Sequence, residues 1–283
     1  TEGVDSMIGM FMGSDAQIEF ASGKYYCTQG IVSFNGRGMV DYDTAIKYMN
    51  NMFYRAHALT TVDQIYNWNV TELLNAENMF RDTTVLSYID AFTDPTVVTV
   101  LNFDKIQNMN YMFSGARALP RFLGQGVTIN GQNGDTSAVA TVAYMFNATD
   151  SMRTFVGKDM IIKGSTRLEN MFNDATGLDY FVGKDMLIDG TGVTVSNMFQ
   201  NCSGLYNGGG DIAYSGTGWV FEGEDMVLDN GCTLVEMFQN SYDMDGLDYT
   251  QGLQAFHGIN FDIADVTSMD SMFQNARGLK EMD

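Results

Sequence analysis

Histidine is nearly missing from this chain: His57 and His257 are the only two in 283 residues. Two imidazoles in separate parts of the sequence nearly exclude a histidine-based triad or a multi-histidine metal centre by count alone. Basic residues are also scarce, 15 Lys and Arg against 35 Asp and Glu, which leaves a formal charge of -20. A surface of that sign repels phosphate backbones and anionic headgroups, so nucleic acid is not an expected partner. The plain reading is that acidity keeps a long patterned surface soluble.

Cysteine is limited to Cys27, Cys202 and Cys232, an odd number without metal-ligand spacing, which leaves the redox compartment open. No apolar run approaches the roughly 20 residues that cross a bilayer, so no membrane insertion is expected in this segment. The sequence opens at Thr1 without a charged, apolar-cored leader. The expectation is a processed chain or part of a longer one. With 45% hydrophobic and 18% charged residues, the chain has ample material for a continuous core.

What is present is a repeat. A Met-Phe pair returns at Met10, Met52, Met79, Met112, Met145, Met171, Met198, Met237 and Met272, at spacings of 42, 27, 33, 33, 26, 27, 39 and 35 residues. This is a basic unit of about 26 residues with insertions of variable length. In TRLENMFNDATGL, Leu168, Met171, Phe172, Ala175 and Leu178 fall at i, i+3, i+4, i+7 and i+10. That spacing predicts one buried helical face. Thr166 with Glu169, and Thr233 with Glu236, read as capping boxes, and Gly177, Gly204 and Gly278 read as helix exits. LDYF, from Leu178 to Phe181, reads as a short strand. The expected unit is therefore helix, turn and strand, with Phe11, Phe53, Phe80, Phe113, Phe146, Phe172, Phe199, Phe238 and Phe273 forming the core column.

A second block repeats the period from elsewhere in the unit: FVGKDMIIKG from Phe155, FVGKDMLIDG from Phe181 and FEGEDMVLDNG from Phe221. Its methionines, Met160, Met186 and Met226, recur at one fixed position, as core residues do. The Gly-Lys pairs at Gly157 and Gly183 lack the surrounding pattern of a phosphate loop and read as structural punctuation.

The last unit, FDIADVTSMDSMFQNARGLKEMD, and the earlier NWNVTELLNAENMF resemble the 26-residue bacterial surface protein repeat. That family is a leucine-rich-repeat relative, similar to repeats of surface antigens and of mycoplasma lipoproteins. The resemblance runs from about residue 4 to the end and implies an α/β, leucine-rich-repeat-like solenoid of about nine helix-plus-strand units, with a parallel sheet on one face. It also implies an extracellular, cell-surface or virion-surface setting and a role in adhesion or protein binding, and it supplies no catalytic residue. A single solenoid domain over residues 1–283 is the expected organisation.

Candidate sites are few. Insertions at residues 21–40, 124–137, 206–219 and 246–260 carry Tyr25, Tyr26, Tyr206, Tyr214, Trp219 and Tyr249, rings suited to a glycan or protein receptor. Asp243, Asp245 and Asp248 resemble part of a calcium loop, but Gln254 stands where a bidentate carboxylate is needed. No cofactor is otherwise expected. NVT at Asn69, NAT at Asn147 and NCS at Asn201 match the glycosylation pattern by chance. No catalytic set stands out, so the sequence predicts a non-catalytic binding scaffold. Its alternative is a subunit that assembles head to tail with copies of itself, and a polysaccharide-acting enzyme is a remote third.

Overall fold

The computed structural model describes residues 5–13, 18–20, 23–25, 30–37, 46–97, 101–130, 140–189, 193–202, 219–229, 231–239 and 252–283. Short parallel strands dominate them, and the one helix among the described residues is Asp90–Thr93. Successive repeats form coils that stack side by side. One six-stranded sheet runs, in order, through Glu281–Met282, Leu253–His257, Trp219–Glu222, Tyr180–Val182, Thr154–Val156 and Arg121–Leu123. A five-stranded sheet joins Val227–Asp229, Leu187–Asp189, Ile161–Lys163, Thr128–Asn130 and Asn102–Phe103. Ser33–Asn35, Thr61–Asp63 and Tyr88–Ile89 form a third parallel sheet, and Ile18–Phe20 pairs with Gly23–Tyr25 in the antiparallel hairpin.

The expected helices are not there. The Met-Phe segments are ribbons of successive turns in which left-handed residues stand four positions apart. Asn51, Asn78, Tyr111, Tyr144, Asn170, Asn197, Glu236 and Ser271 stand immediately before Met with φ of 56–59°. Three residues after Met, Arg55, Asp82, Gly115, Ala148, Asp174, Asn201 and Asn275 do the same. A right-handed helix cannot pass through such positions. The backbone closes turns instead, as in Met52 N to Met49 O (3.2 Å), Tyr54 N to Asn51 O (3.1 Å) and Ala56 N to Phe53 O (3.0 Å). Thr166 lies in the strand Ser165–Arg167 and Thr233 in a bridge, so neither caps a helix. Gly177 and Gly278 have no left-handed φ. At Gly177 the requirement is space: a Cβ there would lie 2.0 Å from the Asp150 carbonyl oxygen.

Alternate ribbon residues hydrogen-bond to the next coil. Met109, Tyr111, Phe113 and Gly115 donate to Thr141, Ala143, Met145 and Asn147 at 2.8–3.1 Å. These bonds satisfy amides that a helix would have paired within itself. The second block contributes a strand that the sequence reading passed over: in FVGKDMIIKG, Thr154–Val156 and Ile161–Lys163 flank a turn with Asp159 at φ 56°.

The core is aromatic. Phe53, Phe80, Phe113, Phe146, Phe172, Phe199 and Phe238 are fully buried, with Phe11 and Phe273 partly buried at either end. Along this column, rings stack at 5.1–5.4 Å with interplanar angles of 2–14°. Phe92, Phe122, Phe155, Phe181, Phe221 and Phe256 make a second column at 4.8–5.4 Å. The two meet edge to face, as at Phe155 and Phe172, 4.9 Å and 78° apart. The short helix places Phe92 at the head of the second column. Met160, Met186 and Met226 are fully buried beside the rings.

Candidate binding surface

On the outer side of the Met-Phe ribbon, coil stacking brings equivalent positions into columns. The position two residues after Met carries Ser114, Asn147, Asn173, Gln200, Gln239 and Gln274 in successive coils, and their side chains form an amide ladder. Ser114 Oγ donates to Asn147 Oδ1 at 3.2 Å, and Asn147 Nδ2 donates to Asn173 Oδ1 at 3.1 Å. Asn173, Gln200 and Gln239 continue it at 3.1, 2.6 and 2.7 Å, each amide donating to the next. Because every member is already paired, this stretch of the ribbon is a stabilising seam more than a place for a ligand.

The earlier coils carry rings and cations in its place. Arg55 lies over the ring of Tyr54 at 5.0 Å, and the Arg81 guanidinium sits 5.9 Å from Tyr54 and 4.7 Å from Tyr111. Tyr111 stacks on Tyr144 at 4.9 Å and 13°. All are part-exposed, the Arg55 and Arg81 side chains by 42% and 36%. Tyr111 and Tyr144 occupy the left-handed position before Met, where the backbone is held by both turn and inter-coil bonds. Such rings lose little freedom when they meet a partner.

Two polar atoms here lack hydrogen-bond partners. Arg81 Nη1 donates to Asn78 Oδ1 at 3.2 Å, but its Nε is buried without one. Glu169, on the coil after Tyr144, receives Arg167 on Oε1 at 2.6 Å while its buried Oε2 stays unbonded. The Glu169 hydrogen bond raises the Arg167 pKa. Asp82 faces both arginines at 3.7 and 3.9 Å, which tempers the local positive charge.

Several titratable groups elsewhere are structural. Asp90 is buried, its carboxylate accepting from the backbone amides of Gln64, Ile65 and Ala91, and burial raises its pKa against those bonds. Tyr88 donates to Asp94 at 2.8 Å and is pushed up to about 12 by that bond. Burial raises Asp179 and Asp150, opposed by Arg153 and Arg117. The Cys202 thiol is pushed far up by burial and donates to the Phe172 carbonyl at 2.9 Å, which makes it an inert core residue.

Among the sequence candidates, Tyr25 and Trp219 lie on strands, while Tyr26, Tyr206, Tyr214 and Tyr249 lie outside the described residues, as do Asp243, Asp245, Asp248 and Cys27. The loop aromatics are therefore not brought together by anything described. Asn147 is a member of the amide ladder. Gly157 and Gly183 serve packing, since a Cβ on either would meet the ring of Phe155 or Phe181 at 2.8 Å. The Tyr-Arg stripe escaped the sequence reading. Its signal was the residue immediately before Met, Tyr111 and Tyr144, and the one two after Met, Tyr54 and Arg81, a column visible only once coils are aligned.

A family model described as "Mycoplasma protein of unknown function, DUF285" matches residues 1–119, 86–210 and 229–282. The chain belongs to this family. The overlap of the first two matches over residues 86–119 is what a repeat model gives when laid on a repeat array. Membership fits the expected bacterial surface repeat family in its coarse form, as a repeat-containing mycoplasma family. No curated protein and no solved structure matches the chain.

Proposed function

We propose that this chain is a non-catalytic surface protein of the cell exterior, whose stacked coils form a solenoid that presents the Tyr-Arg stripe to a protein or glycan receptor. Its use of a repeat scaffold would then parallel that of leucine-rich repeats, with turns in place of helices. The observation that carries this reading is the stripe Tyr54, Arg81, Tyr111 and Tyr144, part-exposed and continuous across four coils on a hydrogen-bonded backbone. Aromatic and Arg side chains dominate binding energy at interfaces. The test is to measure the purified chain against a glycan array and immobilised host-surface proteins, with Y111A and R81A beside the wild type. A ligand whose binding falls about tenfold or more in both variants supports the reading. A ligand bound equally by all three proteins removes the stripe from it.

A second reading, head-to-tail assembly of copies, is favoured by one observation. In the ribbon, amides such as Met109 N and Tyr111 N donate to the following coil, while Gln107 N and Asn108 N just before it donate back to Leu74 of the preceding one, so each side of a coil carries both donors and acceptors that another coil can meet. Light scattering coupled to size exclusion separates the two: discrete monomers across concentration count against assembly, and concentration-dependent rods count for it. No helix among the described residues is long and apolar enough to cross a membrane.

A further inference from the structure

The last pair of strands in the six-stranded sheet brings an imidazole and two carboxylates together. Leu253–His257 and Glu281–Met282 run parallel, with Ala255 opposite Glu281 and Phe256 opposite Met282. Phe256 turns into the core, so the alternate positions Glu281 and Asp283 lie on the same outer side as His257. His257 Nδ1 comes 2.8 Å from Asp283 Oδ1, and one ligand atom each from His257, Glu281 and Asp283 lies within 4.8 Å of the others. Donors about 2.0–2.2 Å from a shared ion stand at most about 4.4 Å apart. A contraction of a few tenths of an ångström, well within the reach of exposed side chains, therefore closes the set.

The charge balance points the same way. The Glu281 side chain makes no hydrogen bond or ion pair among the described residues, and the side-chain partner of Asp283 is His257 itself. Opposite His257 on its other side stands Glu222, held by the Tyr180 hydroxyl. Carboxylates thus outnumber cations around one imidazole, on a chain that is already strongly acidic.

We propose that His257, Glu281 and Asp283 bind a first-row divalent transition-metal ion, of which zinc is the convenient probe. An ion seated among them replaces the proton now shared between Nδ1 and the Asp283 carboxylate. The donor set decides the class of ion. A nitrogen ligand favours zinc, nickel or copper, whereas calcium and magnesium select all-oxygen sites with more ligands. The exposed outer side leaves room for water in the remaining positions. The site shares no residue with the Tyr-Arg stripe, so its failure leaves the proposed function standing.

Isothermal titration of the whole chain with zinc chloride tests it, alongside H257A and E281Q, with circular dichroism to confirm that each variant folds. The expected result is one zinc ion per chain at the tightest site, weakened about tenfold or more in each variant, with calcium chloride binding far more weakly. Equal zinc affinity in the wild type and folded H257A overturns the proposal, because then other carboxylates hold the ion. Calcium competing at equal concentration also overturns it.

Discussion

Gly157 lies beneath the ring of Phe155, and a Cβ added to it would come within 2.8 Å of Cε1. The ring cannot swing aside, because Phe122 and Phe181 stack on it at 5.4 and 5.1 Å. G157A is therefore expected to cost about 1–3 kcal/mol, the range for overpacking a filled core. Gly231 is the control: its Cβ would meet only Thr267 at 3.8 Å, but φ is 81°. G231A should lose about 1–2 kcal/mol from backbone conformation alone. G177A should be the worst of the three, since its obstacle is the Asp150 carbonyl at 2.0 Å. Urea denaturation of the three variants ranks them, and G177A as stable as the wild type would contradict the packing.

Position within the aromatic column should set the cost of losing a ring. Phe172 is fully buried and stacks on both Phe146 and Phe199, whereas Phe273 is part-exposed and has Phe238 as its one neighbour in the column. F172A is expected to destabilise by about 3–5 kcal/mol, and F273A by clearly less. Chemical denaturation measures both, and equal losses would mean that the ends are as tightly packed as the middle.

Left-handed positions occupied by ordinary residues invite improvement. Ala148 holds φ 55° while its amide donates to the Asn173 carbonyl at 3.0 Å, a bond that glycine keeps. A148G should raise the melting temperature, because relief of about 1–2 kcal/mol of left-handed strain outweighs the added freedom of the unfolded chain. N170A should act in the opposite direction at the same kind of position, φ 59°. Calorimetry on the two variants gives the signs, and a melting point lowered by A148G would refute the account.

Asp90 gives the pH dependence a definite sign. Burial raises its folded-state pKa above the unfolded value, so the protonated form is favoured in the native chain. Its contribution is fully present below the ordinary Asp range, about 3.9, and is lost as pH rises through the raised folded value. D90N cannot ionise, and its single carbonyl oxygen can keep the Oδ1 bonds from Ile65 and Ala91 but not the Oδ2 bond from Gln64, a loss that is the same at every pH. Its stability relative to wild type should therefore improve as pH rises from about 4 to 7, read from urea midpoints at each pH. A constant difference across that range would show that Asp90 titrates normally.

Burial was legible in the sequence, and conformation was not. Leu168, Met171, Phe172, Ala175 and Leu178 are all fully buried, as their helical spacing predicts. The same spacing arises when successive tight turns bring every third or fourth residue inward, so periodicity could not separate the two. The separating signal was local: Asn51, Asn78, Asn170 and Asn197 before Met, and Asp82, Asp174, Asn201 and Asn275 three residues after it, are the residue types that tolerate a left-handed backbone. The strand near Leu178 appears at Tyr180–Val182, two residues later than its apolar pattern suggested. The Tyr-Arg stripe and the His257 cluster join residues 24 to 33 positions apart, including Arg81 with Tyr111 and His257 with Glu281. Only the stacking of coils makes them neighbours.

The hydrogen bonds between coils also decide how the stack bears load. They run from coil to coil, across the strands and along the direction of stacking. Tension applied between the two ends therefore loads the coils in series, and each rung must hold the whole force. Such a stack should peel one coil at a time at modest force, each release letting out the residues between one Met-Phe pair and the next. A tether of this kind would lengthen under a pull instead of snapping, with the uneven repeat spacing recorded in the sizes of its steps.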